Sequence, residues 1–330
     1  MNRVRAVAAL CLAALAGSAQ GQTVVVKLGT LAPVGSPWHE VLNDLARRWR
    51  ETSGGAVVLK VYAGGTQGNE GDMIRKLGVS QLQAVAITNV GMQDVTPEPK
   101  GLSLPFLFAT DGEADCALAA LRPELEAALL RRGYVALHWN SLGAMHVFCT
   151  TPRPKPADMA GARLFAQDGD PEANEAWRAA GFRPVVLAST DMLPALQTGM
   201  IDCLAGVPIY VLTTRVFERA RHMMDVPWGH LFGATIVRRE VWERIPEALR
   251  PKLLEAAREA GRAADAELRR LTADAIAAMR SGGLEPYPAD PAPWREVVAG
   301  IHPKLRGGVV PAQFYDLLMS ARSSCAKRRP

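Results

Sequence analysis

The sequence lacks the short motifs by which the common nucleotide-binding and hydrolytic enzymes are recognised. No Gly-x-Gly-x-x-Gly follows a predicted strand, and neither Gly-x-x-x-x-Gly-Lys-Ser/Thr nor Gly-x-Ser-x-Gly occurs, which argues against dinucleotide-binding, P-loop and α/β-hydrolase sites. His39 and Glu40 begin like a zinc-protease helix, but Asn43 stands where the second histidine belongs. We therefore predict no catalytic residue, no metal and no cofactor. A triad assembled from separated segments is left open, although nothing marks a nucleophile.

The body of the chain also lacks net charge. The formal charge is +5 and the pI is about 9.1, but Arg3 and Arg5 lie at the start and Lys327, Arg328 and Arg329 at the end. Those side chains account for the whole excess. A neutral body argues against a nucleic-acid-binding protein, because such proteins need a basic stripe that faces the phosphates.

Cysteine is scarce. Apart from Cys11, the chain has Cys116, Cys149, Cys203 and Cys325, and such wide spacings fit neither a zinc site nor a redox Cys-x-x-Cys pair. An oxidising compartment would permit disulfides. The sequence leaves their pairing open, with buried free thiols as an equal alternative.

The amino terminus has the pattern of a secretory signal peptide. Two arginines precede an apolar run at 6–16, and small residues follow up to Gly21. This run is shorter than the roughly 20 residues that span a bilayer. We expect a cleaved signal peptide at 1–22 and a periplasmic mature protein. A lipid anchor at Cys11 is the less favoured alternative, because the small residue expected before such a cysteine is missing.

Apolar strands alternate with helical patterns through most of the chain. The first unit has strands at 24–28, 57–62 and 84–88, with a helix opened by Ser36 and Pro37 and another at 72–77. After a helix at 112–132, strands are predicted at 135–139 and 145–150. A second unit then has strands at 162–165, 184–187 and 201–204, with helices at 171–180 and 192–197. The alternation predicts an α/β fold with mostly parallel sheets. A returning strand at 234–238 and one long helix, or two, at 246–280 complete the pattern.

Several blocks, taken in order, resemble the solute-binding proteins of TRAP transporters, the DctP-like family. They are KLG at 27–29, SPWH at 36–39, TSGG at 52–55, LPFLF at 104–108, ADMAG at 157–161 and ALQTGMID at 195–202. Each block is weak alone, whereas the ordered set is specific and extends over about 24–286.

The resemblance implies a two-lobed α/β periplasmic binding protein, in which each lobe is a mixed sheet flanked by helices and a long helix braces both. We expect one lobe at 23–146 plus about 232–272 and the other at 147–231 plus about 273–330. Such a receptor is not an enzyme. It captures a small organic ligand between its lobes, at the carboxyl ends of strands, and passes it to the membrane subunits of a TRAP transporter.

The chain departs from the family at the positions implied to hold the ligand. Two family arginines, one of which forks onto the ligand's carboxylate, correspond to Phe165 and Met145. A family asparagine corresponds to Gly206 and a phenylalanine to Ser189; a polar and an acidic position correspond to Leu31 and Thr88. Neither Phe nor Met can replace a guanidinium, and a buried carboxylate without a partner costs several kcal/mol.

We therefore predict a neutral, aromatic or lipid-like ligand. Its apolar contacts would be Leu31, Met145, Phe165, Leu204 and Val207, with Phe165 offering a ring face. Further candidates at the rim are Trp38, Asn89, Gln167, Tyr210, Trp228 and His230.

Three alternatives remain. Arg163 lies two residues before Phe165 on the same face of a strand, so it could anchor an organic acid. A bulky Phe165 could instead fill the cleft of a protein that only interacts with others. An enzyme on the same scaffold would need titratable groups in the cleft, where the positions above are mostly uncharged.

Overall fold

The computed structural model describes residues 23–168, 171–179, 181–300 and 305–327. The expected signal peptide at 1–22 lies outside these ranges. Among the described residues, every helix is too short or too polar to cross a lipid bilayer.

The strands are β1 (Val24–Thr30), β2 (Val57–Tyr62), β3 (Ala84–Thr88), β4 (Tyr134–Cys149), β5 (Arg163–Gln167), β6 (Arg183–Leu187), β7 (Cys203–Gly206), β8 (His222–Met224), β9 (Gly229–Arg238) and β10 (Glu285–Tyr287). Within the described residues they form one mixed sheet of ten strands. Its main path runs β2-β1-β3-β9-β4-β7-β5-β6, and β8 joins β10 to β4. The predicted α/β class is confirmed.

Two parallel units lie on either side of a pair of antiparallel strands. In the first unit β1 pairs in parallel with β2 and β3; in the second, β5 pairs in parallel with β6 and β7. Strand β9 returns between β3 and β4 and is antiparallel to both. We call β2, β1, β3, β9 and the start of β4 the first half of the sheet. The end of β4 with β7, β5, β6, β8 and β10 is the second half.

One continuous strand, β4, runs through both halves, where the sequence predicted two strands at 135–139 and 145–150. Its pairing with β9 is interrupted by irregularities between Ala136 and His138 and between Ser141 and Gly143. Gly143 has a φ of +106°, a conformation that glycine adopts without steric cost. These bulges break the apolar alternation along the strand, which is why the sequence pattern suggested a gap.

The helices are α1 (Pro37–Thr52), α2 (Glu70–Gly78), α3 (Asp111–Arg131), α4 (Pro171–Ala179), α5 (Met192–Gln197), α6 (Pro208–Thr213), α7 (Arg239–Glu243), α8 (Arg250–Ser281), α9 (Pro291–Ala299) and α10 (Ala312–Ala326). Helix α1 begins as its sequence predicts. The Ser36 side chain caps it by accepting a hydrogen bond from the His39 backbone N–H, and proline occupies the first turn.

Apolar clusters cover both faces of each half. In β3, Val85 and Ile87 lie in one cluster with residues of α3 and α10, whereas Ala84 lies in another with α1 and α8. This follows from the alternation of side chains along a strand. The second half has its own two clusters, which contain Phe148 on one face and Val147 on the other. A central sheet covered by helices is therefore the architecture that these patterns produce.

The long helix is α8, a single helix of 32 residues. Near its start, the Leu253 carbonyl accepts a hydrogen bond from the Trp49 indole N–H at 3.0 Å, which joins α8 to α1 in the first half. Near its end, Met279 is fully buried in the core of the second half. One helix therefore packs against both halves.

The last described segment lies on the first half, whereas the sequence grouped it with the second lobe. Phe314, Leu318 and Ala321 of α10 follow helical spacing and are buried against α3. A disulfide between Cys116 of α3 and Cys325 of α10 joins the two helices. A second disulfide joins Cys149 to Cys203, which are paired on adjacent strands. The remaining lobe boundaries stay a prediction.

Removing the disulfide of α10 is expected to lower stability strongly. Cys116 and Cys325 are separated by 209 residues, and in the loop-entropy model such a link contributes up to about 5 kcal/mol. Replacing both by alanine should lower the thermal midpoint, measured by calorimetry under oxidising conditions. The Cys149→Ala/Cys203→Ala variant, which opens a loop of 54 residues, should lose less through chain entropy. An unchanged midpoint in the first variant would contradict the pairing.

Candidate functional site

A cavity of about 760 Å³ lies where the parallel strands of both halves end. Thr30, Thr88, Gln167 and Gly206 are the last residues of β1, β3, β5 and β7, and all four line it. The carboxyl ends of parallel strands are the usual ligand position in α/β sheets. The volume lies in the range of about 300–1,000 Å³ that small-molecule sites occupy.

Most of the side chains predicted from the sequence are brought together here. The cavity is lined by Leu31, Trp38, Thr88, Asn89, Met145, Phe165, Ser189, Gly206, Val207 and Tyr210, and by Gln167 and Trp228 from the further candidates. They come from both halves of the sheet, as a cleft between lobes requires. That they contact a ligand stays a prediction.

Arg163 does not line the cavity. Its guanidinium forms a two-pronged ion pair with Asp202, with Nε to Oδ2 at 2.9 Å and Nη2 to Oδ1 at 2.6 Å. It shares a face of β5 with Phe165, as predicted, but it is the first residue of the strand and the cavity lies at the last. Because a strand rises about 3.3 Å per residue, the two-residue offset moves Arg163 away from the cavity.

Leu204 and His230 also lie outside the lining. Leu204 pairs with Phe148 across β7 and β4, and both are fully buried in the core of the second half. Its neighbour Ala205, on the other face, lines the cavity instead. His230 is buried beside Phe108, with Nε2 3.1 Å from a carboxylate oxygen of Asp111.

Asn89 lines the cavity, but its amide is engaged by the protein. Its Nδ2 donates to the Pro99 carbonyl at 3.1 Å and to the Ser103 hydroxyl at 2.6 Å. Its Oδ1 accepts from the Phe232 backbone N–H at 3.1 Å. Because buried amides are satisfied in this way, Asn89 fixes the segment at 99–103 against β9, and both of its amide hydrogens are used by the protein.

Glu70 was missed by the sequence analysis. It is 2% exposed and lines the cavity. Its carboxylate accepts hydrogen bonds from the Thr88 backbone N–H at 2.6 Å and from the Thr88 hydroxyl at 2.9 Å. Burial raises the pKa of Glu70 against the lowering effect of the hydrogen bonds from Thr88, Gln167 and Gly91. The sequence did contain a signal for the start of its helix, since Asn69 and Asp72 form the capping box that starts α2 at Glu70.

Glu70 also links the two halves beside the cavity. Gln167, at the end of β5, donates to a carboxylate oxygen of Glu70 at 3.2 Å. Beside it, Asn69 donates to the Asp168 carboxylate at 3.3 Å. Each contact joins α2 in the first half to the end of β5 in the second. These polar contacts therefore hold the halves together.

Charged groups are few in the cavity wall. Among the described residues that line it, Lys100 is the cationic side chain, Glu70 is the acidic one, and there is no arginine. Within the same described ranges, no group of three or more His, Cys, Asp and Glu side chains is arranged to hold a metal ion. The wall is therefore built mainly to contact apolar surface.

His138 reaches the cavity because of the first bulge in β4. The extra residue there, Leu137, is fully buried in the core beside α8, and the next residue, His138, lines the cavity. The imidazole packs so closely against Gly261 that any side chain at that position would overlap it. Burial, and then the charges of Arg122, Arg262 and Arg258, lower the pKa of His138 to about 4. The ring is therefore neutral near pH 7.

Several aromatic rings line the part of the cavity that enters the second half. The rings of Trp177 and Trp228 have centroids 5.3 Å apart, and Phe182 lies 5.6 Å from Trp177. All three line the cavity. Behind them, the centroid of Trp294 lies 5.7 Å from that of Trp228.

The chain is similar to a known family and to solved structures over most of its length. The model of the bacterial extracellular solute-binding proteins, family 7 (DctP), matches residues 28–306. The C4-dicarboxylate-binding periplasmic protein DctP of Rhodobacter capsulatus is 24% identical over 309 residues, which cover 88% of this chain and 89% of the relative.

Two solved structures share the fold. The sugar acid binding protein DctPAm of Advenella mimigardefordensis, in complex with galactonate, superposes with a TM-score of 0.86 at 16% identity, covering 92% of this chain and 99% of that one. A TRAP periplasmic solute-binding protein of Desulfovibrio salexigens with bound orotic acid gives a TM-score of 0.84 at 18% identity, with the same coverage. These likenesses confirm the predicted two-lobed fold.

The half-buried His138 is expected to make stability depend on pH. Between about pH 6.5 and 4 the unfolded chain binds a proton that the folded chain excludes, so this histidine's contribution falls as the pH falls through that window. Going from about pH 7 to about pH 5 should cost about 2 kcal/mol through this group. His138→Leu should remove that part of the pH dependence, measured by urea unfolding at both pH values.

The matched control is His39→Gln, at the start of α1. It removes a histidine that lies outside the cavity wall, so an effect seen only in His138→Leu is specific to the ring at that position. If His138→Leu and the wild type lost the same free energy of unfolding between the two pH values, a neutral imidazole at His138 would be ruled out.

Proposed function

Since this chain belongs to the bacterial extracellular solute-binding proteins of family 7, the DctP family, we propose that it captures a weakly polar, aromatic or lipid-like molecule in the cavity. The family consists of receptors, not enzymes, and the chain is a solute-binding receptor of the TRAP type. The observation that carries the choice of ligand is the absence of arginine from the described residues of the cavity wall.

The two positions at which the family resemblance implies arginine support this choice. Met145 and Phe165 both line the cavity, on β4 and β5. Leu31, Leu193 and Val207 line it as well, so apolar surface from both halves faces the ligand. Burying such surface on a ligand contributes about 25 cal/mol per Å² before the costs of association.

Glu70 supports the same choice. A ligand carboxylate beside Glu70 would disfavour the ionised form of both acids, because like charges repel each other most where water is excluded. A ligand carboxylate would also lose its hydration without gaining a two-pronged guanidinium partner. A neutral ligand avoids both costs.

The ligands of the compared structures are the strongest counter-argument. Galactonate and orotic acid are organic acids, and the relative from Rhodobacter capsulatus is named for C4-dicarboxylates. An acid anchored by Arg163 is disfavoured here, because Asp202 already occupies that guanidinium. A filled cleft is disfavoured as well, because Phe165 leaves a cavity of about 760 Å³ open.

We further propose that the chain is exported through the signal peptide at 1–22 and works in the periplasm. The structural neighbours are named as periplasmic proteins, which agrees with two disulfides in the fold. Its partners would be the membrane subunits of a TRAP transporter, to which it delivers the ligand. No feature of the neutral body suggests a nucleic-acid partner.

A thermal-shift screen tests the ligand class. The panel should contain neutral aromatic amides, fatty alcohols, C4-dicarboxylates and sugar acids. A ligand at a hundred times its Kd adds about 2.7 kcal/mol to stability, which corresponds to several degrees in the midpoint. We expect such a shift with a neutral aromatic or lipid-like compound. A shift confined to dicarboxylates or sugar acids would refute the proposal.

Met145 provides the matched pair of variants. Met145→Arg places a cation in the apolar wall and should abolish the shift given by the neutral ligand. Met145→Leu keeps the size and polarity and should preserve the shift. Arg163→Gln, outside the cavity, should bind the ligand as the wild type does. Loss of binding in Arg163→Gln would revive the acid-anchor alternative.

A further inference from the structure

The aromatic rings on one wall of the cavity form a continuous cluster. Trp228 is at its centre, with ring centroids 5.3 Å from Trp177, 5.4 Å from Phe106, 5.7 Å from Trp294 and 6.4 Å from Phe182. These separations lie in the range of favourable aromatic pairs. The cluster is therefore a stable part of the second half that presents ring surface to the cavity.

The protein backbone holds Trp228 in position. Its N–H donates to the Met145 carbonyl at 2.7 Å, and its own carbonyl accepts from the Phe106 N–H at 2.8 Å. Behind it, the Trp294 indole donates to the Pro154 carbonyl at 3.1 Å. A wall fixed in this way loses little conformational entropy when a ligand binds against it.

The cavity continues past the end of β5 toward this wall. Phe165 and Gln167 face one side of the strand and Leu164 and Ala166 face the other, yet all four line the cavity. The space therefore extends around the strand end. We call the part on the Leu164 side the aromatic branch; it is lined by Met159, Leu164, Trp177, Phe182 and Trp228.

Protein interiors are close-packed, and side chains that face a void lose dispersion contacts on that side. Apolar cavities of this kind bind aromatic molecules when these are supplied. Phe182 and Trp228 are buried in the apolar core of the second half and Trp177 is partly buried against it, and all three also line the cavity.

We propose that the aromatic branch is a second subsite, which receives a planar aromatic ring of the ligand while the rest of the ligand lies between the halves. This inference rests on the proposed function and narrows it from weakly polar ligands in general to elongated molecules with an aromatic end. A ring offers an edge and a face to the surrounding rings, whereas a compact solute would not reach them.

Binding of N-phenyl-1-naphthylamine, a neutral probe that fluoresces in apolar sites, tests the subsite. Tryptophan emission should be quenched by energy transfer as the probe binds. Trp177→Ala removes one wall of the branch and should weaken probe binding about tenfold or more. Trp177→Phe retains a ring and should lose no more than about threefold. Trp242→Phe, in the core of the first half, should bind as the wild type does.

1-Octanol, a neutral apolar probe that has no aromatic ring, separates the two hypotheses. If Trp177→Ala weakens the naphthyl probe and leaves 1-octanol unaffected, the subsite is supported. Equal probe binding by Trp177→Ala and the wild type would overturn the subsite and leave the proposed function standing. Failure of both neutral probes to bind a wild type that binds sugar acids would overturn both. Circular dichroism establishes that each variant is folded.

Discussion

The structure depends above all on the antiparallel pairing of β4 with β9. These two strands join the two parallel units, so the space between the units lies beside them. Strand β4 alone contributes His138, Asn140, Leu142, Met145 and Val147 to the cavity wall. His138, Asn140 and Leu142 have even numbers, so they share one face of the strand. Met145 and Val147 have odd numbers, so in a regular strand they would lie on the opposite face. Such a change of face requires an extra residue, which the bulge before Gly143 supplies.

The bulge therefore determines which side chains of β4 line the cavity. With uninterrupted alternation, Ala144 and His146 would follow Leu142 into the cavity. Instead, Met145 and Val147 line it, and His146 is buried with its Nδ1 2.9 Å from the Met224 carbonyl. Burial lowers the pKa of His146 despite that hydrogen bond. A titratable ring is thus turned into the interior of the second half, and apolar side chains take its place in the wall.

Much of the fold could be predicted from the sequence, because local patterns determine it. The serine cap and proline fix the start of α1, and the α/β alternation gives the parallel units. The contacts that attach the last helix to the rest of the fold are not local in sequence. The link of Cys116 to Cys325 and the packing of α10 on α3 join segments that are far apart in sequence, and spacing carries no information about them.

The candidate site shows the same division. Positions at strand ends, such as Thr88 and Gly206, line the cavity, because the carboxyl edge of a parallel sheet is a property of the topology. Leu204 and Arg163 do not line it. Which face of the sheet Leu204 occupies depends on the pairing of β7 with β4. Whether Arg163 can reach a ligand depends on how far along β5 the cavity lies. Both are relations between elements, which a single sequence does not specify.

The polar groups of the cavity explain why shape would decide what it binds. The Asn89 amide and the Glu70 carboxylate are satisfied by other parts of the protein, and Gln167 donates to Glu70 from the other half of the sheet. Breaking such a bond to serve a ligand would leave a buried group unpaired, at about 1–3 kcal/mol for each group. A ligand that demanded those groups would therefore bind at a disadvantage. One that leaves them alone and covers the apolar and aromatic walls gains the burial without that cost.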